Sequence, residues 1–301
     1  MNKVFHILSI FIIVLVINSS GFGLFYKSGG QPFEFINLYG DTVKIYGDGI
    51  YKNDSYFMAY IFKGTDFMAL FIVLPLMISA LIMDIKRSTF KTKLFLTAII
   101  VYFLYYSVSY SMGVIYNVLH LVYLALFSCT LYASILGFGF LKTFSIKISA
   151  KIYTNGLKIF LVFYGLSLFV AWLPDIIVSL INKKSLELIE IYTTQVTYVL
   201  DMAIISPLIF ICLYNLSKNN NIGYILLGIV LNMLSLVGIM VILQTVFQNR
   251  AGIELPVEAT MTKVGIFVLL AIVAVYYEIK LFKNIESNFY SQTYMEKDYG
   301  L

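Results

Sequence analysis

Charge is what this sequence has least of. Only 12% of its 301 residues are Asp, Glu, Lys or Arg, while 60% are hydrophobic, and the mean hydropathy is +0.88. Soluble domains carry about 25% charged residues, so a soluble globular protein is excluded. Cysteine is almost as scarce. Cys129 and Cys212 both lie inside apolar runs, where a thiol behaves as a small hydrophobe, and neither a disulfide framework nor a cysteine metal site is indicated. The two histidines, His6 and His120, belong to different apolar runs at opposite depths, so they cannot share a haem or complete a Cys-His metal cluster.

Several chemistries also have no starting point. There is no G-x-S-x-G elbow, no H-E-x-x-H and no Walker-type G-x-x-x-x-G-K-[ST]. The last apolar run has no lysine at its centre to hold retinal. No basic stripe interleaved with aromatics marks a nucleic-acid surface. No cofactor and no resident metal are called for.

What remains is apolar helix in quantity. A span needs about 20 residues, and eight runs qualify: 4–24, 65–83, 94–113, 118–141, 159–181, 196–216, 222–246 and 264–281. The fifth is expected to break near its outer end at Pro174-Asp175. A signal peptide competes for the first run, but Asn18-Ser19-Ser20-Gly21 is a poor small-residue cleavage site, so a retained span is favoured. The expected architecture is one all-α membrane domain over residues 1–301, with the lipid bilayer as its surroundings.

Residues 26–64 form the longest polar segment. Gly40-Asp41 and Gly47-Asp48 punctuate the alternating stretches Thr42 to Tyr46 and Gly49 to Tyr51, which predicts a small β-hairpin. A hairpin is marginal alone, so its Tyr and Ile faces should pack on the helix ends as a cap. Lysine and arginine then orient the chain: 13 fall on the amino-terminal side and 8 on the other. The positive-inside rule puts both termini in the cytoplasm of a cell-membrane protein and the hairpin outside.

An ionisable group inside a span costs at least about 2.5 kcal/mol and is a functional candidate by default. Asp201 is the strongest case, with Tyr198 on the same helical face and Pro207, which frees a backbone carbonyl, six residues on. Packing against a neighbouring Tyr or Asn is the structural alternative. Asp66 is read at the first turn of the second span, where helix capping competes with a role at the entrance to a site. On the predicted topology Asp66, His120, Asp175, Tyr198, Asp201 and Gln244 share one depth near the outer face, together with Trp172 and Gln248. Glu278 is expected to pair with a basic link. Asp66 with Pro75-Leu76 also echoes Asp201 with Pro207-Leu208, although the acid-to-proline spacings differ.

The phrases Tyr46-Gly47-Asp48-Gly49-Ile50-Tyr51, Gly64-Thr65-Asp66 with Pro75-Leu76, and Val199-Leu200-Asp201 with Pro207-Leu208 resemble those of an uncharacterised group of multi-span bacterial membrane proteins. The resemblance covers roughly half the chain and implies topology, with no activity or catalytic residue to carry over. The leading functional expectation is binding or passage of a small polar or cationic solute, or of protons, through an outer-leaflet pocket. A membrane-embedded enzyme acting on a lipid or lipid-linked substrate, with Asp66, Asp201 and His120 as acid, base or metal ligands, is the alternative. A sensor or assembly subunit that binds a partner through the outer loop is the third class.

Overall fold

In the computed structural model, which describes residues 2–148, 152–254 and 260–290, eight helices run up and down in sequence order. They are α1 (Asn2–Phe25), α2 (Tyr56–Arg87), α3 (Phe90–Gly113), α4 (His120–Leu141), α5 (Asn155–Asn182), α6 (Val196–Ser217), α7 (Asn221–Arg250) and α8 (Ile266–Asn284). The first seven are long and apolar enough to cross a bilayer, and the chain is a multi-pass membrane protein. The eighth is shorter and carries Glu278, Lys280 and Lys283 near its end. The polar tail after residue 290, Lys151 and Glu258 lie outside the described residues.

α7 is the centre of the bundle. Of its apolar window 78% is buried, against 22% for α5, which turns Val162, Phe163, Leu166 and Val170 outward as a lipid-facing helix does. Around α7 pack α2, α3, α6 and α8. One close approach is at Gly64 of α2, where a Cβ would lie 2.6 Å from the Gln244 Cα. Only glycine lets these two backbones meet.

Several boundaries differ from expectation. The second span begins at Tyr56 because Ser55 is its true cap, accepting from the Met58 amide. The fifth does not break at Pro174: α5 continues through it to Asn182. A hairpin is present, but its strands are β1 (Phe33–Ile36) and β2 (Thr42–Ile45), paired antiparallel with Phe33 opposite Ile45. The second predicted strand is a turn instead. Gly47 and Gly49 have φ of +81° and +61°, and Asp48 Oδ1 accepts from the amides of Ser28, Gly29 and Gly49, which curls the chain rather than extending it. As expected of a cap, Ile45, Tyr46, Ile50 and Tyr51 are buried.

At the opposite end a second sheet pairs β3 (Phe144–Ile148) with β4 (Ile285–Tyr290). There a feature unread in the sequence ties the first three helices together. Asp84 of α2 and Lys93 of α3, both fully buried, form an ion pair, and Asp84 also accepts from His6 at 2.8 Å and from the Thr92 hydroxyl at 3.0 Å. The Lys93 ammonium reaches Asn2 and sits 4.9 Å from the Phe5 ring centroid. Glu278 is likewise held from within, by Asn232 at 2.8 Å and Ser235 at 3.2 Å on α7, and among the described residues no basic link pairs with it.

Removing one member of a buried ion pair strands the other charge, at about 3–5 kcal/mol. Lys93→Met is therefore expected to lower the unfolding midpoint in detergent strongly, and Asp84→Asn added to it should recover much of the loss. Equal midpoints for Lys93→Met and wild type would show the pair to be dispensable.

Candidate functional site

The two acids flagged in the sequence lie at similar depth on different sides of α3. Helical rise of 1.5 Å per residue puts Asp66 about 30 Å, one hydrocarbon thickness, from the Lys86-Arg87 end of α2. Asp201 is about 26 Å from Lys218 by the same measure. Both helices widen near their acid. A π-helical turn spans Ala69–Val73 after Asp66, and another spans Leu200–Ile205, including Asp201 itself. Pro75 and Pro207 follow directly, leaving the Phe71 and Ala203 carbonyls without the amide an uninterrupted helix would supply. The sequence echo between the two segments thus has a backbone counterpart.

Asp201 faces a cavity of about 820 Å³ enclosed by α2, α3, α5, α6, α7 and α8. Its Oδ1 accepts from the Tyr105 hydroxyl at 3.1 Å and its Oδ2 from the Trp172 indole N–H at 2.9 Å. Trp172 stacks on Tyr198 with centroids 4.6 Å apart, and the Tyr198 hydroxyl donates to Asp175 at 2.8 Å. Asp175, Trp172, Tyr198 and Asp201 therefore form one continuous wall. Across the cavity Gln244 donates to the Thr65 hydroxyl at 2.8 Å, and Gln248 lines the space near the mouth.

Asp66 stands differently from expectation. It is ten residues inside α2, so it neither caps the helix nor marks an entrance. It is fully buried and does not line the cavity. Three phenols close around it: Tyr51 donates to Oδ2 at 2.5 Å, while Tyr106 and Tyr110 donate to Oδ1 at 3.0 and 2.9 Å. Ser19 and Ser20 of α1 join the network through Tyr106. Gly23 of α1 makes room, since a Cβ there would collide with the carboxylate and lie 2.7 Å from the Tyr51 hydroxyl. Two of its donors, Tyr106 and Tyr110, do line the cavity.

His120 is not brought into the site. It packs beside the exposed Tyr116 with ring centroids 5.3 Å apart and is not part of the cavity wall. Among the described residues no three His, Cys, Asp or Glu side chains converge on one point, so Asp66, His120 and Asp201 do not form the metal centre of the enzyme reading.

Sequence reasoning missed the groups that shape the mouth. The segment joining α5 to α6 supplies Leu186, Leu188 and Gln195 to the cavity wall, and the hairpin loop grips it. Asp54, 1% exposed, accepts from the Ile115 amide at 3.0 Å and the Tyr192 hydroxyl at 2.9 Å. Ser55 donates to the Glu190 carboxylate, and Asn37 donates to the Glu190 carbonyl at 2.8 Å. Glu190 adopts φ +46°, a strained backbone for a side-chain residue that these contacts hold in place. No local signal reveals the grip, since Asp54 stands among Lys52, Asn53 and Ser55 and reads as an ordinary loop acid.

Burial raises the Asp54 pKa from 3.8 to about 7, with the two hydrogen bonds opposing it only in part, and burial raises Glu190 as well. Between about pH 4 and 7 the folded protein thus keeps a proton that the unfolded chain releases, so stability falls as pH rises through that window. Asp54→Asn keeps an acceptor for Ile115 and Tyr192 without the charge. Its unfolding midpoint should fall less than that of wild type between pH 5 and pH 8; parallel slopes would contradict the assignment.

Compared with protein-family models, curated proteins and solved structures, the chain matches none. The geometry of the cavity and its acids carries the functional reading.

Proposed function

We propose that this membrane protein binds a small polar or cationic solute in the cavity and passes it toward the opposite face, with Asp201 as the recognising charge. The single observation that carries the reading is the Asp201 carboxylate, 8% exposed, at the wall of a cavity of about 820 Å³. That volume falls in the range of ligand pockets, roughly 300–1,000 Å³, whose walls are mainly apolar with a few placed polar groups. A structural aspartate needs no such space beside it.

The hairpin end faces outward in this reading. Lys93 is consumed in its ion pair with Asp84 and adds little to the charge count, but the remaining 12 against 8 still favour cytoplasmic termini. The solute then enters from outside beneath the α5–α6 segment. The π turns of α2 and α6 supply the backbone adaptability that passage needs, since such turns recur at functional sites. Separation of Asp66, Asp201 and His120 removes the trio on which the enzyme alternative depended.

A hydrogen bond to a charged group is worth about 1.5–3 kcal/mol, so Asp201→Asn should weaken binding by roughly 10- to 100-fold. Native mass spectrometry of protein released from lipid nanodiscs reads this directly. A discrete added mass on wild type, absent from Asp201→Asn of equal thermal stability, is the expected result. No adduct on either protein, with solute flux in proteoliposomes unchanged by the substitution, would assign Asp201 to packing.

A further inference from the structure

The cavity selects among solutes by its charge and its walls. Asp201, Asp175 and Glu254 border it, and among the described residues that line it the one Lys or Arg is Lys184, an exposed side chain at the rim. Asp201 is buried and its hydrogen-bond donors, Tyr105 and Trp172, are both neutral. Its charge is therefore shared with dipoles and, among the described residues, not paired with a cation. Among the described residues the structure's ion pairs all involve Asp84 at the far end of the bundle.

The walls argue against a bare inorganic ion. Such an ion needs several oxygen ligands converging at short range, whereas the lining is largely aromatic and aliphatic, with Phe62, Tyr105, Trp172, Tyr198, Met240 and Phe267 among its residues. Trp172 lies between Tyr198 and Phe267, at 4.6 and 6.4 Å between centroids. Aromatic walls attract cations through the ring quadrupole and at the same time accommodate apolar substituents. A second, independent feature points to a ligand. Gln248 is 3% exposed and lines the cavity, yet its Nε2 has no hydrogen-bond partner among the described residues. A buried amide donor left unpaired is costly, and an acceptor group on a bound molecule would satisfy it.

We infer that the cavity takes a lipophilic organic cation, an amine, quaternary ammonium or similar onium compound with an apolar body, its charge beside Asp201 and any acceptor group toward Gln248. This rests on the proposed role of the cavity as a binding site and narrows its ligand from polar or cationic solutes in general. The size of the space suits a molecule of many heavy atoms, and the Asp201 carboxylate, held by neutral donors, sets the sign of its charge.

The chain contains one tryptophan, so the fluorescence of Trp172 reports on this cavity alone. Full-length protein in detergent is titrated with tetraphenylphosphonium and, separately, with tetraphenylborate, which has nearly the same shape and the opposite charge. Saturable change in Trp172 emission with the phosphonium, at least tenfold tighter than with the borate, is the expected result. Asp201→Asn should reduce that preference at least tenfold, and Asp175→Asn, which leaves the Trp172 to Asp201 contact in place, should reduce it less. Saturable binding of both ions with equal affinity would overturn the cationic class while leaving a binding cavity. Absence of saturable binding by either ion, in protein whose helical content and unfolding midpoint are intact, would overturn the binding reading itself.

Discussion

A carboxyl group taken out of water into a bundle of helices must recover its lost hydration from donors fixed in the protein, and this requirement shapes most of the structure. Asp66 draws Tyr51 from the outer loop and Tyr106 and Tyr110 from α3. Asp201 draws Tyr105 from the same helix and Trp172 from α5. Asp54 draws together the hairpin loop, the α3–α4 turn and the α5–α6 segment, and Glu278 fastens α8 to α7. Neutral donors hold these four acids among the described residues, with Asp54 Oδ2 alone left without one; a cation answers Asp84.

The choice of neutral donors has a functional consequence. A carboxylate paired with lysine is electrostatically finished, and another cation gains little by approaching it. A carboxylate held by phenol and indole dipoles keeps its net charge while its geometry is fixed, which is the preorganised arrangement that ligand sites require. α3 is the element that makes both arrangements at once. Tyr105 turns to one acid and Tyr106, its neighbour in sequence, to the other, so the two sites are linked through one helix and through the phenols lining the cavity. Tyr106 touches Asp66 on one side and lines the cavity on the other.

Much of the architecture was legible in the sequence because span length and hydropathy report directly on the bilayer. The helix count, the capping hairpin and the shared depth of Asp201, Tyr198 and Trp172 follow from local signals. What was not legible depends on side chains meeting across long separations. Asp66 looks like a helix cap only while the helix is taken to begin at Thr65, and Ser55, a better cap, lies beyond the apolar run that defines the span. Lys93 looks like part of a cytoplasmic basic link, since nothing local distinguishes it from Lys91; its burial comes from Asp84, nine residues back on the preceding helix, and from Phe5 and Asn2, distant in the chain. The tyrosines were the overlooked signal. Tyr102, Tyr106 and Tyr110 recur at a spacing of four, which lines one helical face with hydroxyls, and such a stripe inside an apolar span calls for a buried acceptor.

The central claim is that Trp172 and Asp201 share an acidic cavity reached from one side of the membrane. The most direct measurement is collisional quenching of Trp172 in sealed proteoliposomes of uniform orientation, comparing a cationic pyridinium quencher with iodide, each normalised to a free tryptophan analogue. Stronger quenching by the cation, only from the hairpin side, with a ratio that falls toward unity in Asp201→Asn, is the expected result. Equal quenching by the two ions in wild type, or equal quenching from both sides, would contradict it.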